Sequence, residues 1–357
     1  MEPSQLPPSQ SGQDIQEPQR DVSATPKISF VRKHSSIMVL ILLVLVIGGV
    51  AGVIFFSHHK GQTPHPTISA TAPKDSGDKI SSENVWKGAS ISATAIPLGD
   101  GKISSTAQVG YIDSCTTSFR GGGARHAGSW INTADNTWDS QTKVAVEGSV
   151  TWPAADYSAT TSASNRLITT NDLPEIYPTG IFPIGHSDPA YQFDTNPNHI
   201  GTQNLSYSIP FNPSAAASPG CLPLGPIGVL SDGVLLFDAL DDAGRDAVAH
   251  ETQDLCNSHP NGKEMYHYHN VASCIRNKAT GSSTLVGYAF DGYGIYVERD
   301  ASGNLPTNAD LDACHGHTSQ VEWNGTLTDV YHYDATLEYP YTIGCFHGTS
   351  AVKHGPA

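Results

Sequence analysis

Residues 227–237 read IGVLSDGVLLF, and residues 286–296 read VGYAFDGYGIY. Each segment places a glycine at its second position, an Asp-Gly pair at its centre and an aliphatic-aromatic pair at its end. An Asp-Gly pair between two apolar runs is a strong signal for a β-hairpin, because the turn needs residues that tolerate positive φ. The two segments therefore predict two equivalent hairpins.

The repeat extends beyond the two hairpin segments. Cys256 follows Asp232 by 24 residues, and Cys314 follows Asp291 by 23. Each cysteine opens a Cys-x-x-His motif, which is followed by a Tyr-His motif and then by another cysteine. This shared order indicates a duplicated unit whose two copies pack around a pseudo-twofold axis. The matched motifs are CNSH at 256–259 and CHGH at 314–317, YHYH at 266–269 and YHYD at 331–334, and Cys274 and Cys345, in repeat units at about 221–274 and 286–345.

The composition favours strands and long loops in the region from residue 86 to 357, which we interpret as one domain. Charged residues make up only 15% of the 357 residues, and 34 glycines and 24 prolines supply turns. The segments SISATAI, KVAVEGSVTW and QNLSYSI alternate apolar and polar residues, as half-buried strands do. NPSAAASPG at 212–220 is expected to be a loop. We predict a mainly β fold, with α+β as the alternative.

The N-terminal part contains a candidate membrane anchor. Residues 37–56 form an uncharged apolar run, and twenty helical residues span roughly 30 Å, the thickness of a bilayer core. Basic residues cluster before the run, which predicts a cytoplasmic N-terminus and an extracytoplasmic C-terminal domain. We therefore predict a single-pass membrane protein with the lipid bilayer as a partner. Its other parts are a disordered cytoplasmic tail at 1–36 and a flexible stalk at 57–85. The alternative interpretation of the apolar run is a cleaved signal peptide.

All six cysteines follow the apolar run, on the predicted oxidising side, where an even count favours disulfides. Repeat symmetry suggests one of the 15 possible connectivities. Its pairs are Cys256–Cys274, Cys314–Cys345 and Cys115–Cys221. The alternative is a Cys2His2 zinc site, in which Cys256 and His259 of the first copy join Cys314 and His317 of the second.

The charge of the chain argues for a cationic ligand. The formal net charge is −15, and 30 of the 34 acidic residues follow residue 60. Binding to a phosphate backbone needs clustered lysine and arginine, so we expect no nucleic-acid partner. A negative field instead attracts cations.

The Tyr-His motifs supply the candidate ligands. On a strand, alternate side chains share a face, so His267 and His269 point one way, and His332 and Asp334 do the same in the second copy. If the copies face each other, these four residues form a site of three nitrogens and one oxygen. Such a set suits Zn, Cu, Ni or Fe rather than Mg or Ca. The tyrosines between them are expected to pack in the core through bonded hydroxyls.

Other residues of the repeat are further candidates. His259 and His317, with His315 beside the second, are expected to complete this site or to form another. Asp232 and Asp291 are hairpin-turn residues in the simplest interpretation, and a role as proton carriers is the speculative one. His126, His186 and His199 are weaker candidates from the first half of the domain.

At these motifs the sequence resembles the YHYH-domain family. The resemblance covers about residues 175–350 and implies a secreted or surface protein, but it implies no particular biochemical activity. Asp334 departs from the His, Val or Glu that the family usually has at that position. The matching residues are GRDAVAHE at 244–251, Asp254-x-Cys256, His259-Pro260, YHYH at 266–269, DGYGIY at 291–296, Cys314-x-Gly316-His317 and YPYTIGC at 339–345.

Three functions are consistent with the sequence. The leading hypothesis is a membrane-anchored module that binds a transition metal for capture or delivery. The second is a metal-dependent extracytoplasmic hydrolase or oxidoreductase, with Asp232 or Asp291 carrying protons. The third is a structural or adhesive surface domain. An enzyme needs an open coordination position that faces a pocket, whereas a structural site is closed.

Overall fold

The structure, a computed structural model, describes residues 91–352. The predicted cytoplasmic tail, the membrane helix at 37–56 and the stalk at 57–85 lie outside the described residues. Between residues 91 and 352, no helix has the length and apolar character needed to cross a membrane.

The described residues are mainly β, as predicted. In chain order the strands are β1 (Ile96–Pro97), β2 (Ile103–Ser104), β3 (Ile112–Asp113), β4 (Ile131–Asn132), β5 (Thr137–Trp138), β6 (Tyr157–Thr161), β7 (Asn165–Thr170), β8 (Leu205–Pro210), β9 (Ala215–Gly220), β10 (Pro226–Leu230), β11 (Leu235–Phe237), β12 (Ser258–Pro260), β13 (Tyr266–Tyr268), β14 (Ser283–Ala289), β15 (Gly294–Glu298), β16 (Gly316–Trp323), β17 (Thr326–Asp334) and β18 (Phe346–Gly348). Two short α-helices are α1 (Ala247–His250) and α2 (Ser273–Arg276), and 3-10 turns lie at Pro189–Gln192 and Asn308–Asp310.

An eight-stranded sheet carries both copies of the repeat, in the order β12-β13-β11-β10-β14-β15-β17-β16. The central strands β10 and β14 are antiparallel, with Val229 opposite Tyr288, Gly228 opposite Ala289 and Leu230 opposite Gly287. Gly228 and Gly287 are equivalent in the repeat, as are Leu230 and Ala289. Exchanging the two copies therefore leaves the pairing of β10 with β14 unchanged. The predicted pseudo-twofold axis therefore passes between Val229 and Tyr288.

Each copy builds its half of the sheet in the same way. The Asp-Gly hairpin forms as predicted, and Gly233 and Gly292 adopt φ values of 90° and 96° in the two turns. The Tyr-His strand then pairs in parallel with the second hairpin strand, with Leu236 opposite Tyr268 and Ile295 opposite Tyr333. The strand after the Cys-x-x-His cysteine occupies the outer edge of each half.

The first half of the domain packs on the central hairpins and shares their core. The three-stranded sheet β6-β7-β8 buries Ile168 and Ile209 in the same apolar cluster as Val229 and Leu235. The Arg166 guanidinium of β7 lies 3.9 Å from the centre of the Tyr288 ring, where a cation–π contact joins the two sheets. The domain therefore has one continuous core across both sheets.

Local patterning was a less reliable guide in this first half. QNLSYSI forms β8 as predicted, whereas Lys143–Trp152 makes only isolated bridges, Val146 with Asp254 and Val150 with Thr179. The segment at 212–220 was predicted to be a loop but contains β9, which pairs with β18. The partner of β9 lies more than 120 residues away in sequence, so no local pattern could reveal the pairing.

Three disulfides connect the predicted pairs of cysteines: Cys115–Cys221, Cys256–Cys274 and Cys314–Cys345. This confirms the connectivity that repeat symmetry suggested. It also overturns the alternative Cys2His2 site, because a sulfur atom in a disulfide is not a thiolate and cannot act as that ligand.

Candidate metal centres

Three histidines of the first copy converge in a cluster that we call the inner cluster, made of His259, His267, His269 and Glu251. His259 on β12 lies directly opposite His267 on β13, and His269 follows β13 by one residue. The ligand atoms of the three imidazoles lie within 4.8 Å of one another, and all three residues are buried. The Nε2 atoms of His259 and His269 are 3.4 Å apart.

A carboxylate completes the inner cluster. Glu251 follows α1, whose N-terminus is capped by the Asp246 side chain accepting from the Ala249 backbone N–H. The Glu251 Oε2 atom lies 3.2 Å from Nε2 of His259 and 3.2 Å from Nε2 of His269. The short helix thus places an acid against two imidazoles that come from the sheet.

Backbone contacts fix the orientation of two of these imidazoles. Nδ1 of His267 donates to the Met265 carbonyl at 3.1 Å, and Nδ1 of His269 donates to the Asp238 carbonyl. A carbonyl oxygen only accepts, so Nδ1 of each ring carries a proton and Nε2 faces the centre of the cluster, where it offers a lone pair when the ring is neutral. The Phe237 ring stacks on His267, with 4.0 Å between centroids. Such outer contacts are typical of histidines that bind metal.

Burial and the close contact between Glu251 and the histidines set the pKa values of the inner cluster. Burial, together with the neighbouring His259 and His269, lowers the pKa of His267 well below its usual range. Burial alone would raise the pKa of Glu251, but the two flanking histidines hold it well below its usual range. Burial opposes protonation of His269 as well, yet its contact with Glu251 raises its pKa. A neutral imidazole and an ionised carboxylate are the forms that bind a metal, so the pKa shifts of His267 and Glu251 favour binding, whereas His269 would release a proton when a metal binds.

The second copy forms an equivalent cluster, which we call the outer cluster, made of Glu298, His317, His332 and Asp334. His317 on β16 lies opposite His332 on β17, in the register that joins His259 and His267 in the first copy. Nε2 of His317 is 3.0 Å from Oε2 of Glu298, and Nε2 of His332 is 3.5 Å from Oε1. Nδ1 of His317 is 3.5 Å from Oδ2 of Asp334.

The repeat also reproduces the orienting contacts. Nδ1 of His332 donates to the Val330 carbonyl at 2.9 Å, as His267 does to Met265. The Tyr296 ring packs on His332, at the position of Phe237 in the first copy. The ligand sets differ, because the outer cluster has two nitrogens and two carboxylates.

The outer cluster contains buried polar atoms with no hydrogen bond. Nε2 of His332 and both carboxylate oxygens of Asp334 are buried and make no hydrogen bond of good geometry. Burial raises the pKa of Asp334 to about 7, although His332 and His317 oppose the shift. Burial would also raise the pKa of Glu298, but its close contacts with the same two histidines hold it well below its usual range. A bound cation would satisfy these atoms, so the residues present fit a metal.

The two clusters differ in their exposure to solvent. In the inner cluster the side chains of Glu251, His259 and His269 are at most 9% exposed. In the outer cluster His332 and Asp334 are fully buried, while the side chains of His317 and Glu298 are 27% and 16% exposed. The outer cluster therefore has a buried floor and a rim that reaches solvent.

The prediction of one site shared between the copies was wrong. His267 lies on β13 and His332 on β17, and four strands of the sheet separate them. At about 4.8 Å per strand spacing, the two strands are roughly 24 Å apart. The pseudo-twofold axis runs through the inner strands, so the Tyr-His strands lie toward opposite edges of the sheet. Each copy consequently builds its own cluster from the predicted ligands and one glutamate.

Asp232 and Asp291 lie away from both clusters. The Tyr268 hydroxyl donates to Asp232 at 2.6 Å, and the Tyr333 hydroxyl donates to Asp291 at 2.5 Å. These tyrosines point to the face of each strand opposite His267 and His332. The aspartates act as turn residues that receive buried tyrosine hydroxyls, and their role as proton carriers stays a prediction that this geometry does not favour.

Among the described residues, the remaining histidine candidates contribute to neither cluster. His315 is buried, and its Nε2 contacts the Thr336 hydroxyl at 3.0 Å. Burial lowers its pKa to about 3. His186 packs on the Tyr191 ring, and His126 and His199 also lie outside the clusters.

Sequence reasoning missed the two glutamates. Glu298 shares a strand face with Tyr296, two residues earlier, and Tyr296 packs on His332, so alternation along the second hairpin strand could have revealed Glu298. Glu251 carries no such signal, because it reaches the cluster from a helix outside the repeated strands.

No curated protein and no solved structure matches the chain. A family model described as YHYH protein matches residues 206–306. This match covers the first copy of the repeat with all four residues of the inner cluster, together with Glu298 of the second copy. The chain therefore contains a YHYH domain.

Proposed function

We propose that this protein binds transition-metal ions, one in the inner cluster and one in the outer cluster, and serves in capture or delivery of the metal. The observation that supports this proposal best is the convergence of three buried imidazoles with Glu251, two of them held with Nε2 facing inward. Imidazole nitrogens with one or two carboxylates suit Zn, Cu, Ni or Fe, whereas Mg and Ca prefer oxygen ligands alone.

The energetics of burial support the same proposal. Buried ionisable groups cost free energy unless they are paired or coordinate a metal. The two carboxylate oxygens of Asp334 have no hydrogen bond, and His259 and His269 both face one oxygen of Glu251. A divalent ion would offset the charge of these carboxylates and satisfy the inward-facing nitrogens.

The proposed setting is extracytoplasmic. Three disulfides among the described residues support folding in an oxidising compartment, since such bonds are rare in the cytosol. In this proposal the apolar run at 37–56 anchors the domain to the bilayer, with the N-terminus in the cytoplasm. The anchor stays a prediction from the sequence.

Elemental analysis of the purified full-length chain tests the proposal. We expect two equivalents of a transition metal in the wild type, one equivalent in His267→Ala, one in His332→Ala and none in the double variant. His186→Ala, which removes an exposed histidine outside the clusters, is the matched control and should retain both. Substoichiometric metal in the wild type for every ion tested would refute the proposal. Metal retained in the double variant would refute these sites but not metal binding itself.

A metal-dependent hydrolase or oxidoreductase is the second candidate. The specific observation in its favour is the partly exposed rim of Glu298 and His317, because a catalytic metal keeps a coordination position open to substrate. Hydrolase or oxidoreductase activity that is lost in His332→Ala and retained in His267→Ala would favour this candidate.

A further inference from the structure

The two clusters share the cross-strand pair of histidines but differ in what covers them. A glycine-rich loop from the first half of the domain, residues 121–124, lies against the inner cluster. A Cβ atom added to Gly123 would lie 3.1 Å from Oε1 of Glu251 and 3.0 Å from Oδ2 of Asp241. The loop therefore lies so close to the inner carboxylate that a side chain at residue 123 would crowd it.

Arg245 holds this loop in place. Its guanidinium donates to the carbonyls of Gly122 and Ala124 at 3.3 and 3.2 Å. It also pairs with the buried carboxylate of Asp241, at 2.6 Å between Nη2 and Oδ2. The loop is thus tied to the segment that leads into α1 and to Glu251.

The first half of the domain also covers the strand edge beside the inner cluster. Nδ2 of Asn196 donates to the carbonyl of Pro260 on β12 at 2.9 Å. The backbone N–H of Gly201 donates to the Glu264 carbonyl at 2.8 Å, in the loop between β12 and β13. These contacts explain why the ligands of the inner cluster are almost fully buried.

The outer cluster lies beside β16, the strand at the other edge of the eight-stranded sheet. His317 projects from this edge strand with 27% of its side chain exposed, and Glu298 stands next to it. The Ser319 hydroxyl donates to Oε1 of Glu298 at 3.3 Å and helps to hold this rim carboxylate. An ion here would have protein on one side and solvent on the other.

We infer that the outer cluster exchanges its metal with solvent faster than the inner cluster, and that its ion keeps one coordination position for a small neutral donor such as an imidazole. The two carboxylates, Glu298 and Asp334, balance the charge of a divalent ion, so the open position suits water or a neutral nitrogen donor rather than an anion. The inner cluster instead holds its ion behind the loop at 121–124. This inference rests on the proposed function and adds the ligand class and the order in which the two ions exchange.

Cobalt substitution tests the inference, because the visible spectrum of Co²⁺ reports its coordination. The full-length chain is loaded with Co²⁺ as wild type, as His267→Ala, which retains the outer cluster, and as His332→Ala, which retains the inner one. Imidazole should change the spectrum of His267→Ala and leave that of His332→Ala unchanged. An equal response in both variants, or no response in His267→Ala, would overturn the inference while Co²⁺ binding still supports the proposed function.

A release experiment covers the case in which a variant does not fold. A chelator added to the wild type loaded with two equivalents should remove one equivalent at least tenfold faster than the other. Arg245→Ala should accelerate only the slow phase, whereas Arg125→Ala, at an exposed arginine next to the same loop, should not. A single phase for both equivalents would overturn the inference. Failure of the wild type to bind any Co²⁺ would overturn the proposed function and the inference with it.

Discussion

The inner and outer clusters are built by the same repeat, yet one is enclosed and the other reaches solvent. Their cross-strand histidine pairs have the same register, and their buried histidines make the same backbone contact through Nδ1. The difference comes from outside the repeat, because the loop at 121–124 covers only the inner cluster. Duplication thus reproduces ligand geometry, while flanking segments decide which copy solvent can reach.

The copies also differ in where their acids originate. The inner carboxylate, Glu251, comes from the residue after α1, and the outer one, Glu298, comes from the end of β15. The fourth residue of the Tyr-His motif is His269 in the first copy and Asp334 in the second. The outer cluster is therefore richer in oxygen ligands, and we expect it to tolerate harder metal ions than the inner cluster.

The largest expected effect concerns Lys143, which is buried beside α1 in the first copy and donates to the Val248 carbonyl of α1 and to Gln253. Burial lowers its pKa from 10.5 to about 7, although Asp246 and Glu251 oppose the shift. Between these two pKa values Lys143 is protonated in the unfolded chain but not in the folded one, so the free energy of unfolding rises with pH. Below the folded pKa the residue is protonated in both states, and its full destabilising effect is present. From pH 7 to about pH 9.5 the wild type should gain on the order of 3 kcal/mol relative to Lys143→Met.

Urea unfolding of the two proteins across this pH range measures the difference. Lys263→Met, which removes an exposed lysine, is the matched control for the change in net charge. A difference between the wild type and Lys143→Met that stays constant with pH would show that Lys143 keeps its proton in the folded protein.

The next effect compares two equivalent core tyrosines. Tyr268→Phe removes one hydrogen bond, to Asp232, whereas Tyr333→Phe removes one to Asp291 and another from the His347 backbone N–H. Losing a buried partner costs about 1–3 kcal/mol, so both variants should be destabilised, and Tyr333→Phe by about 1 kcal/mol more. Because both hydroxyls point away from the clusters, metal content should not change. Equal thermal destabilisation, or loss of metal, would contradict this expectation.

The smallest effect tests the cover itself. Gly121 and Gly123 both adopt positive φ, at 81° and 70°, but a Cβ atom meets nothing within 4 Å at Gly121 and two carboxylates at Gly123. Alanine at either position costs about 1 kcal/mol of backbone strain, and at Gly123 about 1 kcal/mol more from crowding. Only Gly123→Ala should hasten metal release from the inner cluster, as measured with a chelator. Faster release in both variants would show that strain rather than crowding loosens the loop.

Much of the fold could be predicted because the repeat carries local and spacing information together. The Asp-Gly pairs predicted both hairpin turns, strand alternation predicted which side chains share a face with the histidines, and the matching order of motifs predicted the disulfides within each copy. These features depend on neighbours in sequence or on comparison of two copies. The pairing of β9 with β18 depends on segments far apart in sequence, and the contribution of Glu251 depends on how α1 packs against the sheet, so strand alternation revealed neither.

The sequence by itself determined that there are two equivalent hairpins, three disulfides and two histidine-bearing strands whose side chains alternate. The tertiary structure alone decided that four strands lie between these two strands, so that they form two clusters rather than one. The physical reason is that the central strands β10 and β14 pair across the pseudo-twofold axis, which places the Tyr-His strands toward opposite edges of the sheet. Tertiary packing of the first half of the domain then enclosed one cluster and left the other open.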